Sequence, residues 1–170
     1  SITGDGLTAV QAITLTVSDL SVATGLSNTD FRGFELYESA DSVLDKYDTH
    51  IGSIDSIAVI IGQAFTISND QITTLKLGET RHYLVSALIA PIASENVTFQ
   101  VSFDPGGLLT NKGSWTSRKL LASDSNQITI DIVATKLIFS TKPAGSISGN
   151  QFLTQPVISA IDDSGLVDTD

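Results

Sequence analysis

The chain has no cysteine and no methionine in 170 residues. Without cysteine there can be no disulfide framework, no thiolate nucleophile and no sulfur ligand for a metal. The compartment is left open by this absence. The lack of methionine leads to the expectation of a processed or excised segment rather than a whole translation product. Aromatic residues make up 6% of the chain, with a single tryptophan, so an extended stacking platform is hard to build. Basic residues are few: nine Lys and Arg against nineteen Asp and Glu, a net charge of -10 and a pI near 4.3. That balance argues against nucleic acid and anionic membrane as partners, because both reward Lys and Arg. No apolar run approaches the roughly 18 residues that a membrane-spanning helix needs, so membrane insertion is not expected. Glutamate is scarce too: 15 of the 19 acids are Asp. Asp favours turns and cation sites while Glu favours helices, so the acids are expected on loops.

What remains is rich in Ser, Thr, Val and Ile, and it alternates. Ile13, Leu15 and Val17 alternate with Thr14 and Thr16, and the parity shifts after Ser18-Asp19, where Leu20 and Val22 continue it. A bulge or a break between strands explains such a shift. Phe34 and Leu36 alternate with Glu35 and Tyr37. Ile57, Val59 and Ile61 suggest a strand, as do Phe65 with Ile67 and Leu75 with Leu77. Tyr83, Val85 and Ala87 lie on one face. Val97, Phe99, Val101 and Phe103 give the clearest alternation, and Asp104-Pro105-Gly106-Gly107 after them is a turn signal. Ile128, Ile130 and Ile132 make another strand. Residues 39–52 read as a single helical turn or an irregular loop. Seven or eight strands by about Val133 suit an all-β, Ig-like Greek-key β-sandwich. Leu77, Gly78 and Tyr83 carry the pattern of a tyrosine corner, with a half-buried strand aromatic as the alternative for Tyr83.

The stretch from Thr135 onward starts a new strand pattern with no Gly- or Pro-rich linker. It offers strands at 136–141 and 152–161 and then an acidic tail, too little to bury a core alone. The expected organisation is one sandwich over residues 1–133 and the opening strands of a second Ig-like module over 134–170. So short a junction implies a stiff rod rather than loosely tethered beads.

Leu137-x-Phe139-x-Thr141-x-Pro143-Ala144-Gly145, Ser148-Gly149, Thr154-Gln155-Pro156-Val157 and Asp162-x-x-Gly165-x-x-Asp168-Thr169-Asp170 together resemble the opening of a bacterial Ig-like repeat. Such repeats occur in very large, repetitive cell-surface and secreted proteins of the adhesin type. Upstream, Phe34-Glu35-Leu36-Tyr37-x-Ser39-x-Asp41, Leu44-Asp45-x-x-Asp48-Thr49-x-Ile51-Gly52 and Gly78-Glu79-Thr80-Arg81-x-Tyr83 are similar to another module of the same proteins. The resemblance implies β-sandwich modules, extracellular or on a bacterial cell surface, that act as stalks, spacers or adhesive units. It names no ligand. Partners would be neighbouring modules or identical subunits, or surface glycans or proteins. The unfinished tail also allows a filament, in which strands of one subunit are added to the next.

Three kinds of site follow. Asp41, Asp45 and Asp48 form one acidic group, and Asp162, Asp163, Asp168 and Asp170 form another around Gly165. Either could supply oxygens to Ca²⁺, although neither has the spacing of a helix-loop-helix calcium loop, and turn formation explains the same residues. Ca²⁺ is a candidate ligand and no cofactor is required. Trp115, in the run Gly113-Ser114-Trp115-Thr116, is the candidate for stacking on a sugar, which would make the chain a carbohydrate-binding sandwich; packing at the sandwich edge is the alternative. His50 and His82 are the only imidazoles, and no Gly-x-Ser-x-Gly elbow accompanies them, so no enzyme is expected.

Overall fold

The computed structural model describes residues 1–22, 25–114, 123–124 and 127–169. The described strands are β1 (Ile2–Thr3), β2 (Val10–Asp19), β3 (Phe31–Ser39), β4 (Thr49–Asp55), β5 (Ala64–Ser68), β6 (Thr80–Ile89), β7 (Val97–Thr110), β8 (Gly113–Ser114), β9 (Ser123–Asp124), β10 (Ile128–Ile130), β11 (Lys136–Thr141) and β12 (Val157–Ile161). One sheet has the order β1-β6-β3-β4, and a second has the order β10-β7-β2-β5 with β8 and β9 alongside β7. The hairpin β11–β12 forms a third sheet of its own. All the pairings are antiparallel.

The alternating residues explain why the two large sheets face each other. Val10, Ile13, Leu15 and Val17 on β2 are buried, as are Phe34 and Leu36 on β3 and Val97 and Phe99 on β7. Their polar neighbours point outward, so each strand offers one apolar face, and two such faces close a sandwich. Four phenylalanines lock the sheets together. Phe34 lies 5.0 Å from Phe31 and 5.2 Å from Phe65, and Phe31 meets Phe99 edge to face at 5.1 Å. Tyr83, Val85 and Ala87 share one face of β6 and pack against this cluster, as the alternation predicts.

The all-β sandwich is therefore the fold. Its sheet order departs from a constant-type Ig domain at the termini, where the first strand lies beside the second and the last beside the sixth. Here β1 lies beside β6 and β7 beside β2.

Several elements differ from the sequence reading. The Asp104-Pro105-Gly106-Gly107 signal does not end a strand. Leu15 pairs with Phe103 and Ile13 with Leu108, so residues 104–107 all lie opposite Thr14 as a wide bulge within β7. The parity shift after Asp19 is a break: β2 ends there, and the Asp19 carboxylate accepts hydrogen bonds from the backbone N–H groups of Ser21 and Leu26. Ile57, Val59 and Ile61 form no strand; Ser56–Ala58 is a 3-10 turn, and of the three only Val59 is fully buried. Leu75 is buried and Leu77 is exposed, outside any strand.

A missed strand, β4, begins at Thr49. It runs so close to the end of β5 that a Cβ on Gly52 would sit 1.9 Å from the Ser68 carbonyl oxygen. Missed as well is Asp30, which is 1% exposed. Its carboxylate accepts from the N–H groups of Ser27 and Ser94, which completes a capping box and ties the start of β3 to the loop before β7.

Replacing Phe34 by Ala removes the ring that meets both Phe31 and Phe65. An alanine there should cost about 3–5 kcal/mol of stability, the usual figure for a buried phenylalanine. Guanidinium unfolding monitored by circular dichroism checks this, and a loss under about 1 kcal/mol would mean the ring is not a core contact.

Candidate functional site

Strand–strand pairing gives the hairpin β11–β12 two different faces. Leu137 lies opposite Ala160, and Phe139 opposite Ile158, so one face is wholly apolar. Leu137 is 72% exposed, Phe139 54% and Ile158 58%. The other face carries Lys136, Ile138, Ser140 and Ser159, with the two serine hydroxyls hydrogen-bonded at 3.0 Å. Its end is anchored by Ile161, which is buried. Among the described residues β11 pairs only with β12, so its outer edge has no strand beside it.

Carboxylates hold the hairpin to the sandwich and to its own turn. Asp162 accepts from the N–H of Leu166, closing a turn in which Gly165 takes the left-handed φ of 91°. Asp168 accepts from the N–H of Ala134 at 3.0 Å, and Asp163 from the hydroxyl of Thr135 at 2.8 Å. Glu95, in the loop before β7, accepts from the N–H of Thr169 at 2.7 Å and also from its hydroxyl. Between hairpin and sandwich lies an open cleft whose walls include Arg32, Pro91, Asp131, Ile132, Asp162 and Leu166.

The acidic group of the β3–β4 loop performs the same kind of work. Asp41 accepts from the N–H of Val43, Asp45 from that of Tyr47, and Asp48 from that of Asp45. The first two are the hydrogen bonds of Asx turns, and the third reaches back three residues to close the same loop. Among the described residues no three carboxylate or imidazole side chains converge as a metal site. Asp170 and Trp115 lie outside the described residues. His50 is stacked edge-on against Tyr37 at 5.3 Å, and Tyr37 donates its hydroxyl hydrogen to Glu35. His82 and the half-buried Tyr83 sit on opposite faces of β6, because neighbouring residues of a strand point to opposite sides.

Tyr83 forms no tyrosine corner. Its hydroxyl donates to the Glu38 carboxylate on the paired strand β3 rather than back to an upstream backbone carbonyl. Arg81 bridges Glu38 at 3.0 Å and also binds Glu79. Burial pushes the Tyr83 phenol up, and the neighbouring Glu38 charge adds to the shift. The Arg81 guanidinium holds the Glu79 carboxyl below its ordinary range. The network seals the end of the sandwich with paired charges and a protonated phenol. Sequence spacing could not reveal it, because its members come from two strands and the turn before β6.

Compared with known proteins, the chain matches no family model, no curated sequence and no solved structure.

A folded-state pKa raised above the unfolded value contributes stability below the ordinary phenol range, and that contribution is lost as pH rises through the raised value. Ultraviolet titration of the phenols should therefore show a late alkaline phase. Tyr83→Phe should remove the Tyr83 part of it, leaving that of Tyr37, whose phenol the hydrogen bond to Glu35 also raises, and Glu38→Gln should move the Tyr83 part to lower pH. A late phase unchanged in both variants would refute the pairing.

Proposed function

We propose that the chain is a non-enzymatic structural and adhesive module that joins to its neighbour through the β11–β12 hairpin. The exposed apolar face of that hairpin carries the proposal. A two-stranded sheet is marginal in water, and an apolar face on it gains stability only when a second layer covers it. The unpaired edge of β11 offers the backbone groups that strand addition uses. A neighbouring module of a longer chain, or another copy of this one, would provide both the layer and the strand. The reading agrees with the resemblance of residues 135–170 to an opening Ig-like repeat. It assigns residues 1–133 to one Ig-like Greek-key module and residues 134–170 to the first strands of the next. It places the protein outside the cell, on a bacterial surface, as a stiff spacer or a filament unit. No helix is long and apolar enough to cross a membrane among the described residues.

The mode of joining can be tested in solution. Sedimentation velocity of the 170-residue chain over a hundredfold concentration range should reveal association. The double variant Phe139→Glu, Ile158→Lys should abolish it without lowering the melting temperature of the sandwich. A strict monomer at every concentration, binding no more of a dye for exposed apolar surface than the double variant does, would contradict an association face.

A further inference from the structure

β3 runs the length of the sandwich, and the hairpin β11–β12 and the β3–β4 loop stand at its two ends. Arg32, near the start of β3, shares the walls of the cleft with Asp162 at the root of the hairpin. Residues 40–48 leave from the other end of β3, and residues 40–47 are all exposed. Tyr47 is 80% exposed and Val43 64%, and Leu44 is exposed beside Val43. Exposed Ile72 lies close by, because Gln71 donates its side-chain amide to the His50 carbonyl at the start of β4. The loop is not slack. The carboxylates of Asp41, Asp45 and Asp48 accept hydrogen bonds from its own backbone N–H groups. A loop held in this way loses little entropy when a partner docks.

Charge divides the two ends as well. No acid occurs between Asp131 and Asp162, the longest acid-free interval in the chain, and that interval holds Lys136 and Lys142. Lys136 lies 3.9 Å from Asp163 at the root of the hairpin. Lys142 is exposed just past the end of β11 and has no ion pair among the described residues. In the loop, Asp41, Asp45 and Asp48 outnumber Lys46, which lies over the Tyr47 ring at 5.0 Å. None of the three acids has an ion pair among the described residues. Copies of a chain with a net charge of -10 repel one another, so a contact that forms between them must set basic surface against acidic surface.

We propose that the hairpin of one copy docks on the β3–β4 loop of the next. The apolar face of Leu137, Phe139 and Ile158 covers Val43, Leu44 and Tyr47, and Lys142 meets the loop aspartates. This docking rests on the reading of the hairpin as a joining surface and gives that surface its receiver. A hairpin-to-hairpin contact matches less well, because the acid it would offer to Lys142 is Asp163, which Lys136 already faces. The two surfaces differ and lie at opposite ends, so each copy keeps one free after joining. Copies then add in line, as a heterologous contact allows.

Sedimentation velocity on complementary variants tests the docking. Val43→Glu, Tyr47→Glu removes the receiving loop and keeps the hairpin, and Phe139→Glu, Ile158→Lys does the reverse. Each double variant alone should be monomeric. Their equimolar mixture should form a dimer and nothing larger, because one intact hairpin meets one intact loop, while the wild type forms longer species. Lys142→Glu leaves both apolar surfaces in place and should weaken wild-type association about tenfold at low salt and less at high salt. A folded loop variant that associates as well as the wild type would overturn the receiver and leave the hairpin reading standing. A mixture that stays monomeric, with both variants melting as the wild type does, would overturn head-to-tail docking. A wild type monomeric throughout would overturn docking and hairpin reading together. Should the loop variant melt early, Lys142→Glu decides: association unchanged by it at low salt would overturn the docking.

Discussion

The contact on which the sandwich depends is the meeting of Phe31, Phe34, Phe65 and Phe99 between the two large sheets. A sheet cannot leave an apolar face in water, and these rings give both sheets something to cover. Their geometry fixes what surrounds them. Phe31 and Phe34 sit on the same strand, so the start of β3 must be placed accurately. The buried Asp30 achieves that by capping the turn before β3 and holding the loop that leads into β7. Breaking that anchor would loosen the segment that presents Phe31 to Phe99.

The hairpin β11–β12 obeys the same rule and has no such partner. Its apolar face carries the same kinds of residue as the sandwich interior, but Leu137, Phe139 and Ile158 stand in solvent. What holds it in place is largely polar, the Glu95–Thr169 and Asp168–Ala134 hydrogen bonds, with the buried Ile161 as an apolar anchor beside them. Polar contacts at a junction fix direction at small cost, while an uncovered apolar face supplies the drive to associate. On this view the sandwich provides rigidity, the junction provides orientation, and the hairpin provides the contact.

Much of this was legible in the sequence because burial imposes a period of two. β11 spans Lys136 to Thr141, the run that the alternation indicated, and the inward residues of β2, β6 and β7 follow their pattern. The misreadings come from signals that are locally ambiguous. Asp-Pro-Gly-Gly serves a bulge as well as a turn, since both need the backbone to leave the pleat, and only the pairing on either side distinguishes them. Thr49 to Asp55 has weak alternation because Gly52 is there to let β5 approach, a tertiary requirement with no local trace. The acidic groups were legible as turn formers or cation ligands. Among the described residues their carboxylates accept backbone or hydroxyl hydrogen bonds, a role that composition alone cannot separate from ligation. The Tyr83–Glu38–Arg81 network depends on cross-strand register, which a single strand does not reveal.

The central claim is that the hairpin is completed by a partner layer. Hydrogen exchange resolved by residue or peptide reads this most directly, because local opening reports how well each strand is covered. The account predicts fast exchange at β11 and β12 in dilute protein while β2, β3 and β7 stay protected. It also predicts that the hairpin amides slow markedly as concentration rises or when the following segment of a longer chain is present. Hairpin amides already as protected as those of β2 in dilute solution, and unchanged by either condition, would contradict it.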